Sequence, residues 1–229
     1  MSRTALISLW ICCLVVGCTS GTDERVPTIR RAPGQVIEEI SVDVPASGIF
    51  HVEFITTEGK FLVEVNREWA PIGADRFYKL VKDQFFDDAA FFRVVPGFVV
   101  QFGLAADPAR NKKWSQELQD EPVLQSNKRG YLTYAKSGMP NSRTTQIFIN
   151  LGDNSGNLDP QGFSAFGRVI EGLDVLERLN DEYGESLTNL QGDIRTEGNA
   201  FLQSRFPNLS YNQTARITLD DLEPDSTAE

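Results

Sequence analysis

The sequence predicts a mainly β protein whose strands close into an antiparallel barrel. Short segments rich in β-branched and aromatic residues recur along the chain between turn residues, and only two segments show clear helical periodicity. Many short strands with few helices favour a closed barrel, because closure removes exposed strand edges. With 229 residues, 41% hydrophobic and 24% charged, the chain has the composition of a soluble globular protein with one well-formed core.

The first strong local prediction is a hairpin followed by a helix. Residues 49–57 and 60–66 are typical of strands, since apolar residues alternate with polar ones, and residues 58–59 (Glu-Gly) supply the turn. After Pro71, apolar residues recur at helical spacing as far as about Lys82, which predicts the first helix.

The stretch FFRVVPGFVVQFG, residues 91–103, predicts a second hairpin. Residues 91–95 and 98–102 are aromatic and β-branched, and Pro96-Gly97 between them favours a turn. If Phe98, Val100 and Phe102 point to one face, Gln101 points to the other and can share a surface with Arg93. An ordinary buried hairpin, with both polar groups bonded to backbone, remains an alternative at this point.

The rest of the chain contains two polar insertions and a few further elements. Residues 104–129 are predicted to be a surface insertion pinned to the body by Trp114, and residues 181–214 a second insertion. Four shorter elements are also predicted: a strand near 36–44, a short helix through Leu173, Leu176 and Leu179, a helical turn at 199–205 and a last strand at 216–219.

The N-terminus has the pattern of a targeting signal. Arg3 precedes an apolar run too short for a membrane-spanning helix, which needs about 20 residues. The run ends in Val15-Val16-Gly17-Cys18, which resembles the lipobox of bacterial lipoproteins. We therefore expect residues 1–17 to be a signal peptide and Cys18 to be acylated. Residues 18–35 would then be a flexible tether, residues 36–222 the folded domain and residues 223–229 an acidic tail.

This pattern predicts an extracytoplasmic, lipid-anchored protein. Thr19 after the cysteine resembles lipoproteins sent to an outer membrane, where the protein would face the periplasm, and the absence of cysteines after Cys18 fits oxidising surroundings. The formal charge is −10, and loss of Arg3 with the signal leaves 21 basic and 32 acidic residues, a net charge of −11. Such an acidic chain is not expected to bind nucleic acid.

Three segments, in order, resemble the cyclophilins, which are peptidyl-prolyl cis-trans isomerases. The first is FFRVVPGFVVQFG, the second is GYLTYAKSGMPNSRTTQIFIN at residues 130–150, and the third is LDPQGFSAFGRVIEGLDVLERL at residues 158–179. The resemblance covers roughly residues 50–179. It implies an eight-stranded antiparallel barrel capped by two helices, isomerisation of the bond before proline, proline-containing polypeptides as partners, and a monomer.

The resemblance also implies the site residues. Arg93 would donate to the prolyl nitrogen of a twisted amide, and Gln101 would hold the substrate carbonyl side and orient Arg93. The substrate-binding residues implied are Phe98, Val99, Ala135, Lys136, Gln146, Phe148, Leu158 and Phe163. Phe163 stands at an edge where the family usually has His. No cofactor or metal is needed for this reaction, and His51 is the only histidine in the sequence.

Three positions depart from the family pattern. Lys136 stands where Asn is common, Met139 is an insertion in the same loop, and Asn157 occupies a position that often carries Trp. We expect these changes to weaken binding of bulky macrocycles such as cyclosporin rather than to abolish isomerase activity. They leave open a cyclophilin-like module or holdase that binds proline segments with little turnover. A third interpretation is an acidic structural envelope lipoprotein that uses the barrel as a scaffold.

Overall fold

The computed structural model describes residues 48–218, which form one curled antiparallel sheet with helices around it. The eight strands are β1 (Ile49–Thr56), β2 (Gly59–Asn66), β3 (Arg93–Val95), β4 (Val99–Phe102), β5 (Tyr131–Tyr134), β6 (Ile147–Asn150), β7 (Ala165–Glu171) and β8 (Asn212–Ile217). The α-helices are α1 (Pro71–Lys82), α2 (Pro108–Lys113), α3 (Ser155–Leu158), α4 (Leu173–Glu177), α5 (Gln191–Glu197) and α6 (Asn199–Arg205). Short 3₁₀ turns at Asp159–Gln161 and Thr188–Leu190 complete the elements of the described part.

Several predicted elements are confirmed. The hairpin of β1 and β2, helix α1 and helix α6 lie where alternation, helical spacing and turn residues placed them. The last strand, β8, begins at Asn212, four residues before the predicted start at 216, and shares only residues 216–217 with the predicted strand. The signal peptide, Cys18, the tether, the predicted strand at 36–44 and the acidic tail lie outside the described residues. In residues 48–218, no helix has the length and apolar character needed to cross a membrane.

The sheet has eight antiparallel strands as expected, but it does not close into a barrel. The strand order is β3-β4-β6-β5-β7-β2-β1-β8, so β3 and β8 are the two edges of an open, curled sheet. The segments just before these edge strands meet in an isolated bridge between Ala90 and Tyr211, where Phe91 N donates to Ser210 O at 3.0 Å. The second insertion leads into β8. Within the described part, backbone pairing between the two edges of the sheet is limited to this bridge.

The core lies inside the curl and is mainly aromatic. Phe54 stacks on Phe61 with ring centroids 4.7 Å apart, and Phe77 of α1 lies 5.2 Å from Phe166 of β7. Phe102 at the end of β4 meets Phe91 at 5.0 Å. Each such pair contributes beyond the burial of its apolar area. The hairpin that carries Arg93 and Gln101 is therefore held by core contacts on its inner side.

The first insertion is less superficial than predicted. Trp114 does pin it: the ring packs against the core, and Trp114 Nε1 donates to Asp83 Oδ2 at 2.7 Å. The insertion also sends Glu121 into the interior, where its carboxylate accepts from Ile72 N at 2.6 Å and Gly73 N at 3.0 Å. These are free backbone donors of the first turn of α1, so the insertion caps that helix.

The second insertion contains helix α5, which the sequence did not predict, in addition to the predicted helical turn that forms α6. Helices α5 and α6 bury an apolar cluster of their own against the hairpin of β3 and β4. The cluster consists of Ala90, Phe92, Leu104, Leu187, Ile194, Phe201, Leu202 and Leu209. Phe92 and Leu104 flank the segment that carries Arg93 and Gln101, so the insertion is packed directly behind the predicted site residues.

Candidate active site

A pocket of about 540 Å³ opens on the outer side of the β3-β4 hairpin. All ten residues predicted for catalysis or substrate binding line it: Arg93, Phe98, Val99, Gln101, Ala135, Lys136, Gln146, Phe148, Leu158 and Phe163. They come from β3, the turn before β4, β4 itself, the loop between β5 and β6, β6, the end of α3 and the segment before β7. The sequence therefore identified one contiguous surface, whose residues are separated by up to 70 positions in the chain.

The hairpin register places Arg93 directly opposite Gln101. Val94 and Val100, one position along each strand, point into the core, so Arg93 and Gln101 share the opposite face. Arg93 Nη1 donates to Gln101 Oε1 at 3.0 Å. The prediction that the two side chains share a surface is confirmed, and the alternative of separate backbone partners for them is excluded.

Phe98 corrects one detail of the strand prediction. It lies in the turn before β4, outside the alternation of the strand, and packs with Val99, Phe148 and Leu158 instead of entering the core with Val100. The Arg93 guanidinium lies 5.3 Å from the centroid of the Phe98 ring, at cation–π distance. The turn therefore places Phe98 in the pocket wall beneath Arg93.

A second amide continues the polar side of the pocket. Gln101 Nε2 donates to Gln146 Oε1 at 2.9 Å, and both side chains are buried. Gly103 permits this approach: its φ is +99°, and an added Cβ would lie 2.4 Å from Thr145 O. Thr145 Oγ1 also donates to Gly103 O at 2.9 Å. Arg93, Gln101 and Gln146 form a chain of hydrogen bonds along one side.

The opposite side of the pocket is apolar. Val99, Phe148 and Leu158 are buried, and Phe98, Ala135 and Phe163 pack on them. The rings of Phe148 and Phe163 meet edge to face with centroids 5.8 Å apart. This slot has the chemistry that a small apolar ring requires.

Asn127, at the end of the first insertion, holds this apolar side in place. Its side chain is fully buried and Nδ2 donates to Phe163 O and to Asp159 Oδ1, both at 2.8 Å. Burial opposes ionisation of Asp159, but the hydrogen bonds from the Asn127 side chain and backbone outweigh it and lower the pKa of this carboxyl. One amide thus supports the loop that presents both Leu158 and Phe163, and sequence analysis did not identify it.

Of the three departures from the family pattern, Lys136 alone lines the pocket. Lys136 Nζ is 5.4 Å from the centroid of Phe163, while Met139 is 69% exposed in the same loop. Asn157 is exposed, its Oδ1 accepts from Gln161 Nε2 at 3.0 Å, and it does not line the pocket. The rim position next to Leu158 is therefore open.

Residues of both insertions also line the pocket, and the sequence analysis did not include them. The additional lining residues are Glu117, Ser137, Ser142, Thr144, Thr188, Gln191 and Arg195. The sequence does contain a signal for the lining residues of the second insertion. Leu187, Leu190 and Ile194 recur at three- and four-residue spacing, which is typical of a helix face.

Glu185 of the second insertion forms a two-pronged ion pair with Arg93. Arg93 Nε donates to Glu185 Oε2 at 2.9 Å and Arg93 Nη2 donates to Glu185 Oε1 at 2.7 Å. The hydrogen bond from Arg93 is the main cause of a lowered pKa of the Glu185 carboxyl, which burial opposes. A guanidinium has five N–H donors. The three bonds to Glu185 and Gln101 leave two of them without a partner in the described part of the chain.

A protein-family model and several known proteins match this chain. The model described as "Cyclophilin type peptidyl-prolyl cis-trans isomerase/CLD" matches residues 51–197, more than half of the chain. A peptidyl-prolyl cis-trans isomerase of Acinetobacter baylyi is 33% identical over 132 residues, covering 56% of this chain and 70% of the relative. The human peptidyl-prolyl cis-trans isomerase-like 3 is 31% identical over 158 residues, covering 65% and 96%.

Solved structures share the fold. The cyclophilin AquaCyp293 of Hirschia baltica superposes with a TM-score of 0.55 at 20% identity, covering 77% of this chain and 76% of that one. A cyclophilin-type isomerase of Cryptosporidium parvum gives 0.53 at 20% identity, covering 74% and 98%. With the family model matched across both strands of the Arg93 hairpin, these findings establish that the chain belongs to the cyclophilin-type peptidyl-prolyl cis-trans isomerases.

Proposed function

We propose that this chain accelerates rotation about X-Pro peptide bonds, with Arg93 as the catalytic residue. The observation that carries the proposal is the placement of the Arg93 guanidinium beside an apolar slot, with two N–H donors not engaged by Glu185 or Gln101. Its side chain is 20% exposed, so a substrate can reach it.

The reaction needs little more than such a donor. The planar amide resists rotation with a barrier of about 18–20 kcal/mol, and the uncatalysed exchange takes tens to hundreds of seconds. Twisting the bond localises a lone pair on the prolyl nitrogen. A cationic donor aimed at that nitrogen stabilises the twisted amide more than either planar isomer, which lowers the barrier.

The slot supplies the other half of the mechanism. Phe98, Phe148 and Leu158 would hold the proline ring, while Gln101 would meet the carbonyl side of the substrate. A structure of the Cryptosporidium parvum cyclophilin was obtained in the presence of the dipeptide Ala-Pro. That finding supports proline-containing polypeptides as the substrate class of this chain.

A protease-coupled or exchange NMR assay on a short Pro peptide tests the proposal. Arg93→Ala should lower kcat/KM at least about tenfold, equivalent to about 1.4 kcal/mol of transition-state stabilisation, without unfolding the protein. Arg93→Lys keeps the charge but loses the planar set of donors, so it should also be impaired. Arg129→Ala is the control, since this exposed arginine pairs with Glu177 outside the pocket.

Two results would decide between the proposal and its alternative. Equal turnover by wild type and Arg93→Ala would contradict the mechanism. Binding of the Pro peptide by a folded wild type without turnover would favour the holdase or binding module.

We further propose that the protein works outside the cytoplasm, as a monomer attached to an outer membrane and facing the periplasm, where it assists folding of exported proteins. The support comes from sequence alone: a basic residue, a short apolar run and the Val15 to Cys18 pattern, all outside the described residues. Several acyl chains on Cys18 would give stable anchoring where one chain is marginal.

Mass spectrometry of protein extracted from membranes tests the anchor. Acylated Cys18 should be the first residue, with residues 1–17 absent. Cys18→Ser, the matched control, should lose the acyl mass. A soluble wild type with an unmodified N-terminus would contradict the anchor while leaving the isomerase proposal intact.

A further inference from the structure

The ion pair between Glu185 and Arg93 joins an insertion to the proposed catalytic residue. Glu185 lies 92 positions from Arg93 in the sequence, and both of its carboxylate oxygens accept from the guanidinium, at 2.9 and 2.7 Å. Two-pronged bonds between arginine and carboxylate define the plane of the guanidinium as well as its position. The contact therefore determines where the remaining N–H donors of Arg93 point.

The insertion holds Glu185 in place although its side chain is 56% exposed. Leu187, two residues later, is fully buried in the cluster that includes Phe92, the neighbour of Arg93 in sequence. Thr188 Oγ1 donates to Glu185 Oε2 at 3.0 Å. The same packing that fixes the backbone behind Arg93 thus fixes the carboxylate in front of it.

We propose that Glu185 is a positioning residue for Arg93, an inference that rests on the isomerase function proposed above. Glu185 takes the N–H of Nε and one N–H of Nη2, and Gln101 takes one N–H of Nη1. One N–H on each terminal nitrogen remains for the twisted amide. A free arginine side chain has many rotamers, so an arginine already held by two partners loses less conformational entropy on reaching the transition state.

The opposite role, a carboxylate that blocks Arg93, predicts the opposite result. If Glu185 withheld donors from the substrate, its removal would raise turnover. If it positions Arg93, its removal lowers turnover, chiefly through kcat, because Glu185 is not among the residues that line the pocket where the proline ring would bind. Kinetics therefore separate the two roles.

The experiment uses the full chain in detergent and compares wild type, Glu185→Ala, Glu185→Gln, Arg93→Ala and the double variant Arg93→Ala/Glu185→Ala. Glu185→Ala should lower kcat about fivefold or more with little change in KM, and Glu185→Gln, which keeps one acceptor, should lie between. In the Arg93→Ala background, Glu185→Ala should have no further effect. Glu197→Ala is the matched control, because this exposed acidic residue of the same insertion does not line the pocket.

A second measurement reports on positioning without activity. In a ¹H–¹⁵N spectrum of arginine side chains, the Nε–H signal of Arg93, assigned by its loss in Arg93→Ala, should exchange slowly with water in wild type and in Glu197→Ala. It should exchange faster in Glu185→Ala.

The possible results separate a failure of the Glu185 inference from a failure of the proposed isomerase function. Unchanged or higher kcat in Glu185→Ala with an active wild type overturns the inference and leaves the isomerase function standing. A loss of kcat that persists in full in the Arg93→Ala background also overturns it, since Glu185 would then act elsewhere. A wild type without turnover overturns the proposed function instead, and the Nε–H signal then decides alone whether Glu185 holds Arg93.

Discussion

Gln101 and Gln146 form a buried amide-to-amide hydrogen bond, from Nε2 of Gln101 to Oε1 of Gln146 at 2.9 Å. The bond decides which end of the Gln101 amide faces Arg93. Because the Gln101 amide nitrogen is engaged by Gln146, its oxygen faces Arg93 and accepts from Nη1 at 3.0 Å. The orientation of Arg93 therefore depends on a residue that Arg93 does not touch, in the segment that leads into β6.

The first prediction from this relationship concerns stability. Gln101→Leu leaves Gln146 Oε1 without its donor in a buried place, and Gln146→Leu leaves Gln101 Nε2 without its acceptor; each should cost about 1–3 kcal/mol of unfolding free energy. The double variant removes both groups, so it should be less destabilised than the sum of the single variants by about 1 kcal/mol. Urea unfolding of the four proteins measures this, and strictly additive losses would show that the bond carries no coupling.

A second prediction concerns pH and the anchoring of the first insertion. Asp83, just after α1, accepts from Trp114 Nε1 and Lys113 Nζ, both at 2.7 Å. Burial opposes ionisation of this carboxyl, but the hydrogen bonds from Lys113 and Trp114 outweigh it and hold the pKa of Asp83 below its ordinary value. A depressed folded pKa means that the stabilisation is present above the pKa of the unfolded chain, about 3.9, and disappears as pH falls through the folded value.

Wild type should therefore be more stable than Asp83→Asn by about 1 kcal/mol near neutral pH, since a hydrogen-bonded charge in a partly exposed place contributes about that much. The difference should shrink when urea unfolding is repeated in acid, below the folded pKa. Asp193→Asn, which changes an exposed carboxylate, is the control. Its free energy of unfolding at neutral pH should equal that of wild type. A gap of the same size at both pH values would exclude the carboxylate as its cause.

Much of the fold was predictable because local periodicity is strong where one face is buried. The alternation in β1 and β2 and the helical spacing after Pro71 produced the observed elements to within one residue at their ends. The sequence of the second insertion predicts a polar segment, because Leu187, Leu190 and Ile194 are separated by charged and polar residues. Leu187 and Ile194 are buried and Leu190 is partly buried in the apolar cluster that includes Phe92 and Leu104. Those two residues flank the β3-β4 hairpin, and local sequence does not reveal this contact.

The site was predictable as a set of residues but not as an electrostatic arrangement. The motif around Arg93 and Gln101 lies within one hairpin, so strand register alone brings the two side chains together. Glu185 approaches from 92 positions away, and nothing in the local sequence indicates that it would pair with Arg93 rather than remain solvated. Strand alternation predicts that Phe98 faces the same way as Val100, but Phe98 lies in the turn before β4 and lines the pocket.

The last prediction concerns the open rim next to Leu158. Asn157 is exposed and contacts Gln161, so no side chain at this position shields the apolar slot. An indole there would offer an apolar macrocycle such as cyclosporin additional contact, and burying about 50 Å² more apolar surface is worth roughly 1.2 kcal/mol at about 25 cal/mol per Å². Asn157→Trp should therefore bind cyclosporin about eightfold more tightly in a titration.

Asn157→Ala, which removes the amide without adding a ring, should bind cyclosporin like wild type. All three forms should isomerise a short Pro peptide at similar rates. If Asn157→Trp is folded and active but binds the macrocycle no better, an indole at this rim position does not reach the ligand.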